Sequence, residues 1–290
     1  MIVFEAFYFK LCPNRIAPIM DLKILFQFII ILLFGLLVLR LIVFRIIEPV
    51  YVLAFKKPLF LYGYIILKKL NDNQKEVLEK EFPFYRRLSI KKKRYFEHRV
   101  NEFIGKYEFI GKDIAVTEEM KVLIAGTYVM LTFGMRNYLI NQFSRILIYA
   151  TNYYSTTNDA FHKGEFNPRM KVIAFSWEDF VLGHGTLNDN INLGLHEFSH
   201  ALHFHCLQKR DPSAVIFRDE FDKVIQYYND VDLNAELRTK GYFRLYAYEN
   251  QFEFLSVILE HFFETPEVFK KQHPHLFTTI ATMINFKGDN

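Results

Sequence analysis

Two cysteines in 290 residues, Cys12 and Cys206, are too few for a disulfide framework, which fits a reducing compartment and excludes the cross-linked secreted scaffolds. The excess of one charge is slight as well: 36 Lys and Arg against 32 Asp and Glu leave a net +4, a weak bias toward anionic surfaces. No zinc-finger, RNA-recognition or homeodomain pattern is present, so no nucleic-acid partner is expected. Internal repeats and low-complexity tracts are also lacking. Apolar residues are abundant, 51% hydrophobic and 17% aromatic, enough for one good core plus an appendage.

The appendage lies near the N-terminus. Residues 24–39 carry no charge, and residues 41–44 extend the run once Arg40 snorkels to the headgroups, giving about 21 residues, enough to span a bilayer. A secretory signal peptide would be shorter and would end in a small-x-small cleavage site, whereas Arg45, Ile46 and Ile47 follow here. A buried core helix is the second rival, since residues 29–34 are apolar all the way round, but the length of the run favours a span. Lys10, Arg15 and Lys23 precede the run; Arg40, Arg45, Lys56, Lys57, Lys68 and Lys69 follow it. The positive-inside rule then predicts a single pass through the cytoplasmic membrane with the rest of the chain facing the cytoplasm. Met20, opening Met-Asp-Leu-Lys, is a second candidate start that would sharpen this bias. Residues 49–70 mix Pro49, Pro58 and Gly63 with Lys56-Lys57, and fit either an interfacial segment or a strand-like linker.

The densest chemistry is His196-Glu197-Phe198-Ser199-His200. Positions i and i+4 share one helix face, so both imidazoles can reach one zinc ion while Glu197 sits beside the water as general base. Asp189 and Asn190 are cap-type residues ahead of the run, and Leu195, Phe198, Ala201 and Leu202 follow helical spacing. A catalytic zinc needs a third protein ligand. The metzincin pattern would place glycine at 203 and histidine at 206, where this chain has His203 and Cys206, so the helix is expected to run on. The other route is an acid on a later helix, and residues 249–264, stopped by Thr265-Pro266, form one. Phe252, Leu255, Leu259, Phe262 and Phe263 are its apolar stripe; Glu253 and Glu260 are both candidate ligands, and periodicity does not choose between them.

Elsewhere, helices are expected from Asn71 to Pro83, from Ser89 to about Ile104 and from Thr117 to about Phe133. The second of these turns Tyr95, Phe96, Val100 and Phe103 inward and Lys91-Lys92-Lys93-Arg94 outward, a solvated face close enough to the span to meet anionic lipid. Residues 145–150 and 171–177 are β-rich and are separated by a polar loop holding Asn152, Asn158, His162, Gly164, Glu165 and Pro168. The second strand precedes the active-site helix, and a resemblance to zincins would make it a sheet edge able to pair with an extended peptide.

The five-residue motif, Ser176-Trp177-Glu178-Asp179, Asn192, Tyr246-Ala247 and the run from Glu253 through Phe263 together resemble the MtfA family of zinc-dependent peptidases, family M90. Its catalytic core is similar to that of the anthrax lethal factor protease. The resemblance extends over residues 71–282, leaving 1–48 as the segment with the span, 49–70 as a linker and 283–290 as a tail. It implies an α+β, zincin-like domain with a small mixed or antiparallel sheet, an active-site helix beneath it and a helical C-terminal part. It also implies Zn2+ held by His196, His200 and Glu253, Glu197 as catalytic base and Tyr246 pointing into the site. Peptide-bond hydrolysis is the implied reaction, on a peptide or protein substrate. The family takes its name from a protein that titrates a transcriptional repressor, so capture of a regulatory protein partner is the rival activity. The segment between His200 and Glu253 is several residues shorter than in better-known bacterial members.

Overall fold

The computed structural model describes residues 22–155, 159–185 and 189–286. Lys10, Cys12, Arg15, Met20 and Asn158 lie outside the described residues. The chain divides at Pro49 into two units.

In the first unit the apolar run is helix α1, Leu22–Ile42, continued by a π-helical turn at Val43–Ile47. Helix α2, Glu48–Phe55, carries the helical path past Pro49. From Lys23 to Phe55 the chain is long and apolar enough to cross a membrane, by length and composition, and its most apolar stretch is unburied. Residues 49–70 are therefore not one linker type: they are helical through Phe55 and irregular afterwards.

The second unit is mixed α and β and mostly helical. Asn71 caps α3, Asp72–Glu81, in a reciprocal capping box with Gln74. Pro83 ends it and opens the short α4, Pro83–Arg87. Ser89 caps α5, Ile90–Lys106, where Phe96, Val100 and Phe103 are buried and Tyr95 only half so. Strand β1, Glu108–Lys112, leads to α6, Glu118–Thr132, capped by Thr117 with Glu118 and Glu119 in its first turn. Strand β2 is Arg145–Tyr149, β3 Tyr153–Ser155, β4 Ala160–His162, β5 Gly164–Asn167 and β6 Val172–Ser176. Helices α7, Trp177–Gly185, and α8, Leu193–Gln208, follow, then α9, Pro212–Asn229, and α10, Val231–Lys240. A 3-10 turn at Leu245–Tyr248 leads to α11, Gln251–Glu264, α12, Pro266–Gln272, and α13, Pro274–Met283.

The four-stranded sheet has the order β1-β2-β6-β5; the first three strands are parallel and β5 is antiparallel to β6. The strand expected at the edge, β6, is thus interior, fully buried and flanked on both sides. The edge strands are β1 and, beside β6, β5, which comes from the segment taken for a polar loop; that segment also forms the β3–β4 hairpin. Each of these strands spans only three or four residues, too short for alternation to register. His162 and Glu165 accordingly stand on strands, with Glu165 accepting from Ser155 Oγ at 2.7 Å and Asn167 Nδ2 at 3.2 Å.

Within this unit the irregular segment beyond Phe55 packs on the core: Leu70 is buried, and Tyr62 stacks on Tyr95 at 4.3 Å. Arg99, fully buried, joins it to the end of α6. Its Nε donates to Tyr64 Oη at 2.6 Å and its Nη1 to the carbonyls of Thr132 and Phe133 at 3.0 and 3.1 Å. The guanidinium also lies 4.2 Å from the Tyr138 ring centroid. Arginine suits this place because its cation faces the negative end of a helix and the faces of aromatic rings.

Candidate metal centre

Asn192, not Asp189 or Asn190, caps α8: its side chain accepts from Leu195 N at 3.0 Å, while Asn190 takes a left-handed conformation (φ 56°) in the preceding turn. Helix α8 touches β5, β6, α6, α7, α9 and α11. It is consequently buried on nearly every side and runs on through Cys206, which is wholly buried away from the cluster described next.

One turn apart on α8, His196 and His200 meet Glu253 from the first turn of α11, which Asn250 caps through the N–H groups of Phe252 and Glu253. Ligand-type atoms of these three residues lie within 4.8 Å of one another. Glu253 Oε2 is 2.8 Å from His196 Nε2, and Glu253 Oε1 is 3.5 Å from His200 Nε2. Donor atoms around a tetrahedral zinc stand about 3.3 Å apart, so these separations bracket what one ion requires. Apart from the His196 imidazole, Glu253 Oε2 is buried without a hydrogen-bond partner. Such an orphaned anionic oxygen fits a group aimed at a shared cation.

Glu260, two turns along α11 and with no exposure, stands behind the cluster. Its carboxylate lies 2.8 Å from His196 Nδ1, accepts from Asn192 N at 3.0 Å, and takes both terminal nitrogens of Arg244 at 2.8 Å. A carboxylate only accepts, so Nδ1 carries the proton and Nε2 is the atom offered to the cluster. Arg244 Nη1 also donates to the Asn190 carbonyl, fixing the loop before the helix. On the second histidine, Ser256 Oγ lies 3.4 Å from His200 Nδ1 and is linked to Ser199 Oγ.

Burial lowers the pKa of His196, but Glu253 and Glu260 outweigh it and carry the group up to about 10. Burial, then repulsion by His196, takes His200 down to about 4. Burial raises Glu197 to about 7, against the pull of His196. Glu253 is lowered, since His196 and His200 overcome its desolvation. A cation held at the cluster would compete with a proton for His196 Nε2.

Glu197 is buried beside edge strand β5, with a backbone hydrogen bond from Phe166. Only a glycine allows this closeness: a Cβ on Gly164 would stand 2.7 Å from Glu197 Oε1 and 2.8 Å from its Cγ. Tyr246, in the 3-10 turn, is 42% exposed with its ring 5.8 Å from that of His196. Burial first, and the Glu253 carboxylate second, push its phenol well up, so it keeps its proton.

All five residues singled out by sequence therefore converge. Phe252, expected in the buried stripe of α11, is instead 40% exposed beside His203. Arg244, Gly164 and the Ser199–Ser256 pair were not picked out by sequence. A cation two residues before Tyr246 was the one available signal, and it has no meaning until the fold brings Glu260 to it.

Two imidazoles and a carboxylate around one point, with a buried glutamate alongside, are the donor set of a mononuclear metal site. The chain belongs to the M90 family, described as glucose-regulated metallo-peptidases, whose family model matches residues 64–284. It is also similar to an uncharacterized protein of Synechocystis sp., with 22% identity over 231 residues that cover 73% of this chain and 83% of that one.

Proposed function

We propose that the chain is a membrane-anchored zinc peptidase of zincin type, in which His196, His200 and Glu253 hold the ion. The observation carrying this reading is the convergence of those three side chains within 4.8 Å beside buried Glu197. When bound, zinc supplies Lewis acidity toward the scissile carbonyl and lowers the pKa of water.

The remaining steps belong to side chains. Glu197, with a pKa near neutrality, accepts the proton of the attacking water and delivers it to the departing amide nitrogen. Tyr246, whose hydroxyl stays protonated, donates a hydrogen bond to the developing oxyanion, a contribution of about 10²–10³ in rate. Glu260 holds His196 in one orientation and Arg244 holds Glu260. Apart from the Phe166 N–H taken by Glu197, the outer edge of β5 offers backbone groups for an extended peptide to pair with as an added strand.

Capture of a regulatory partner, the rival activity, requires no general base, and the burial of Glu197 against Gly164 favours hydrolysis. Residues 24–44 anchor the protein, and the basic residues beyond them keep the peptidase domain in the cytoplasm. Metal analysis tests the ligand set: the purified protein should carry one zinc per chain and His196→Ala none. Stoichiometric zinc in His196→Ala would overturn the assignment.

A further inference from the structure

A cavity of ≈ 430 Å³ opens from His196, Glu197 and Tyr246 toward Phe161 on β4, Leu182 on α7 and Ile191. Those three large apolar side chains are 74%, 63% and 55% exposed. Single exposed apolar residues need no explanation, but three lining one cavity beside a metal cluster form a concave apolar site.

Most ionisable groups around the same cavity already have partners, the exception being His162, whose buried Nε2 has none. Lys163 Nζ lies 2.6 Å from Asp179, which also accepts from Ser176 Oγ at 2.6 Å. Arg244 gives both terminal nitrogens to Glu260. Asp189 Oδ1 accepts from Ile191 N at 3.0 Å. Apart from the remaining acceptor sites of Asp189 and the Nε2 of His162, a substrate charge entering here would have to break one of these pairings or stay unmatched and desolvated.

Glycines let two parts of the wall approach closely. A Cβ on Gly164 would stand 2.7 Å from Leu193 Cδ1 as well as from Glu197, and one on Gly183 would overlap the Ile191 carbonyl. The cavity wall is thus tight at Gly164 and Gly183, and its exposed apolar surface is that of Phe161, Leu182 and Ile191.

We propose that this cavity is a selectivity pocket for a large uncharged apolar side chain, of the Leu, Met or Phe class, on the residue adjoining the peptide bond held at the metal cluster. This rests on the peptidase reading. Phe161, Leu182 and Ile191 are its recognising wall, and the Lys163–Asp179 pair is its polar rim.

The test uses zinc-loaded Glu197→Gln protein and peptides identical except at one residue, Ala, Leu, Phe, Asp or Lys, with affinity measured by calorimetry. Leu and Phe should bind about 10–100-fold more tightly than Ala, with Asp and Lys no tighter than Ala. Leu182→Asp, a change at an exposed position, should collapse the Phe-to-Ala ratio and let Lys overtake Phe. A flat ranking, no binding of any peptide, or a lead for Asp or Lys in the parent protein would overturn the proposal; Lys would lead if Asp189 were the recognising group. Cleavage of the same peptides by the unsubstituted protein is scored separately. Selective binding without cleavage leaves the pocket standing and sinks the peptidase reading, whereas cleavage with flat binding does the reverse.

Discussion

Replacing Glu253 and Glu260 one at a time should separate holding the metal from holding the holder. Glu253→Ala leaves two imidazoles where a catalytic zinc needs three protein donors. At about 2.5–4 kcal/mol per ligand, a four-way share of the usual zinc binding energy, its loss should weaken affinity about 100–1000-fold. Glu260 touches no ion and acts through His196 Nδ1, so Glu260→Ala should cost only about 10–100-fold. Stability of the metal-free protein should rank the other way. Removing Glu260 strands the Asn192 N–H and half-buried Arg244, for about 3–5 kcal/mol, whereas removing Glu253 gives up fewer contacts, chiefly the one at 2.8 Å with His196 Nε2. Zinc affinity by chelator competition and melting of the chelated protein provide both rankings. Glu260→Ala losing its zinc while Glu253→Ala keeps it would refute the reasoning and shift the ligand by two helical turns.

Gly164→Ala should push Glu197 off its place beside β5 and lower hydrolysis about 10²–10⁴-fold with zinc content intact; an unchanged rate would show that Glu197 is not positioned there. Burial holds His203 and His261 down to about 4, below the unfolded value of 6.5, so their contribution is complete above pH 6.5 and is lost as pH falls from 6.5 toward 4. Each should cost about 1.4 kcal/mol per pH unit in that window, and His203→Phe, set among Phe217, Phe221 and Phe252, should flatten the melting curve against pH. A domain beginning at residue 56 should melt above one beginning at 71, which lacks Tyr62, Tyr64 and Leu70, with equal zinc affinity; equal melting would make the Arg99 contacts idle. The full-length chain should resist carbonate extraction, and external protease should cut the domain in inverted vesicles but not in intact cells.

What could be read from the residues was whatever is local or strongly periodic. Caps at Asn71, Ser89 and Thr117 and the spacing of His196 and His200 are decided within one or two turns, and the helices begin where those signals stand. Glu253 and Glu260 looked equivalent because both face α8; which one reaches the histidine Nε2 atoms depends on how α11 is advanced along α8, a tertiary quantity. Edge strand β5 was illegible because four residues cannot show alternation, and Gly164 carries no signal apart from the neighbour it admits. Asn192 was passed over as cap because Asp189 and Asn190 offer the same chemistry two or three residues earlier, and only the turn at Asn190 decides between them.

The most direct measurement is peptide hydrolysis by the zinc-loaded protein beside its Glu197→Gln variant, with bound zinc quantified in both. Equal zinc content with hydrolysis lost by about 10²-fold or more in the variant is the expected result. Equal hydrolysis by both proteins would contradict a water-activating role for Glu197, and with it the account of this site.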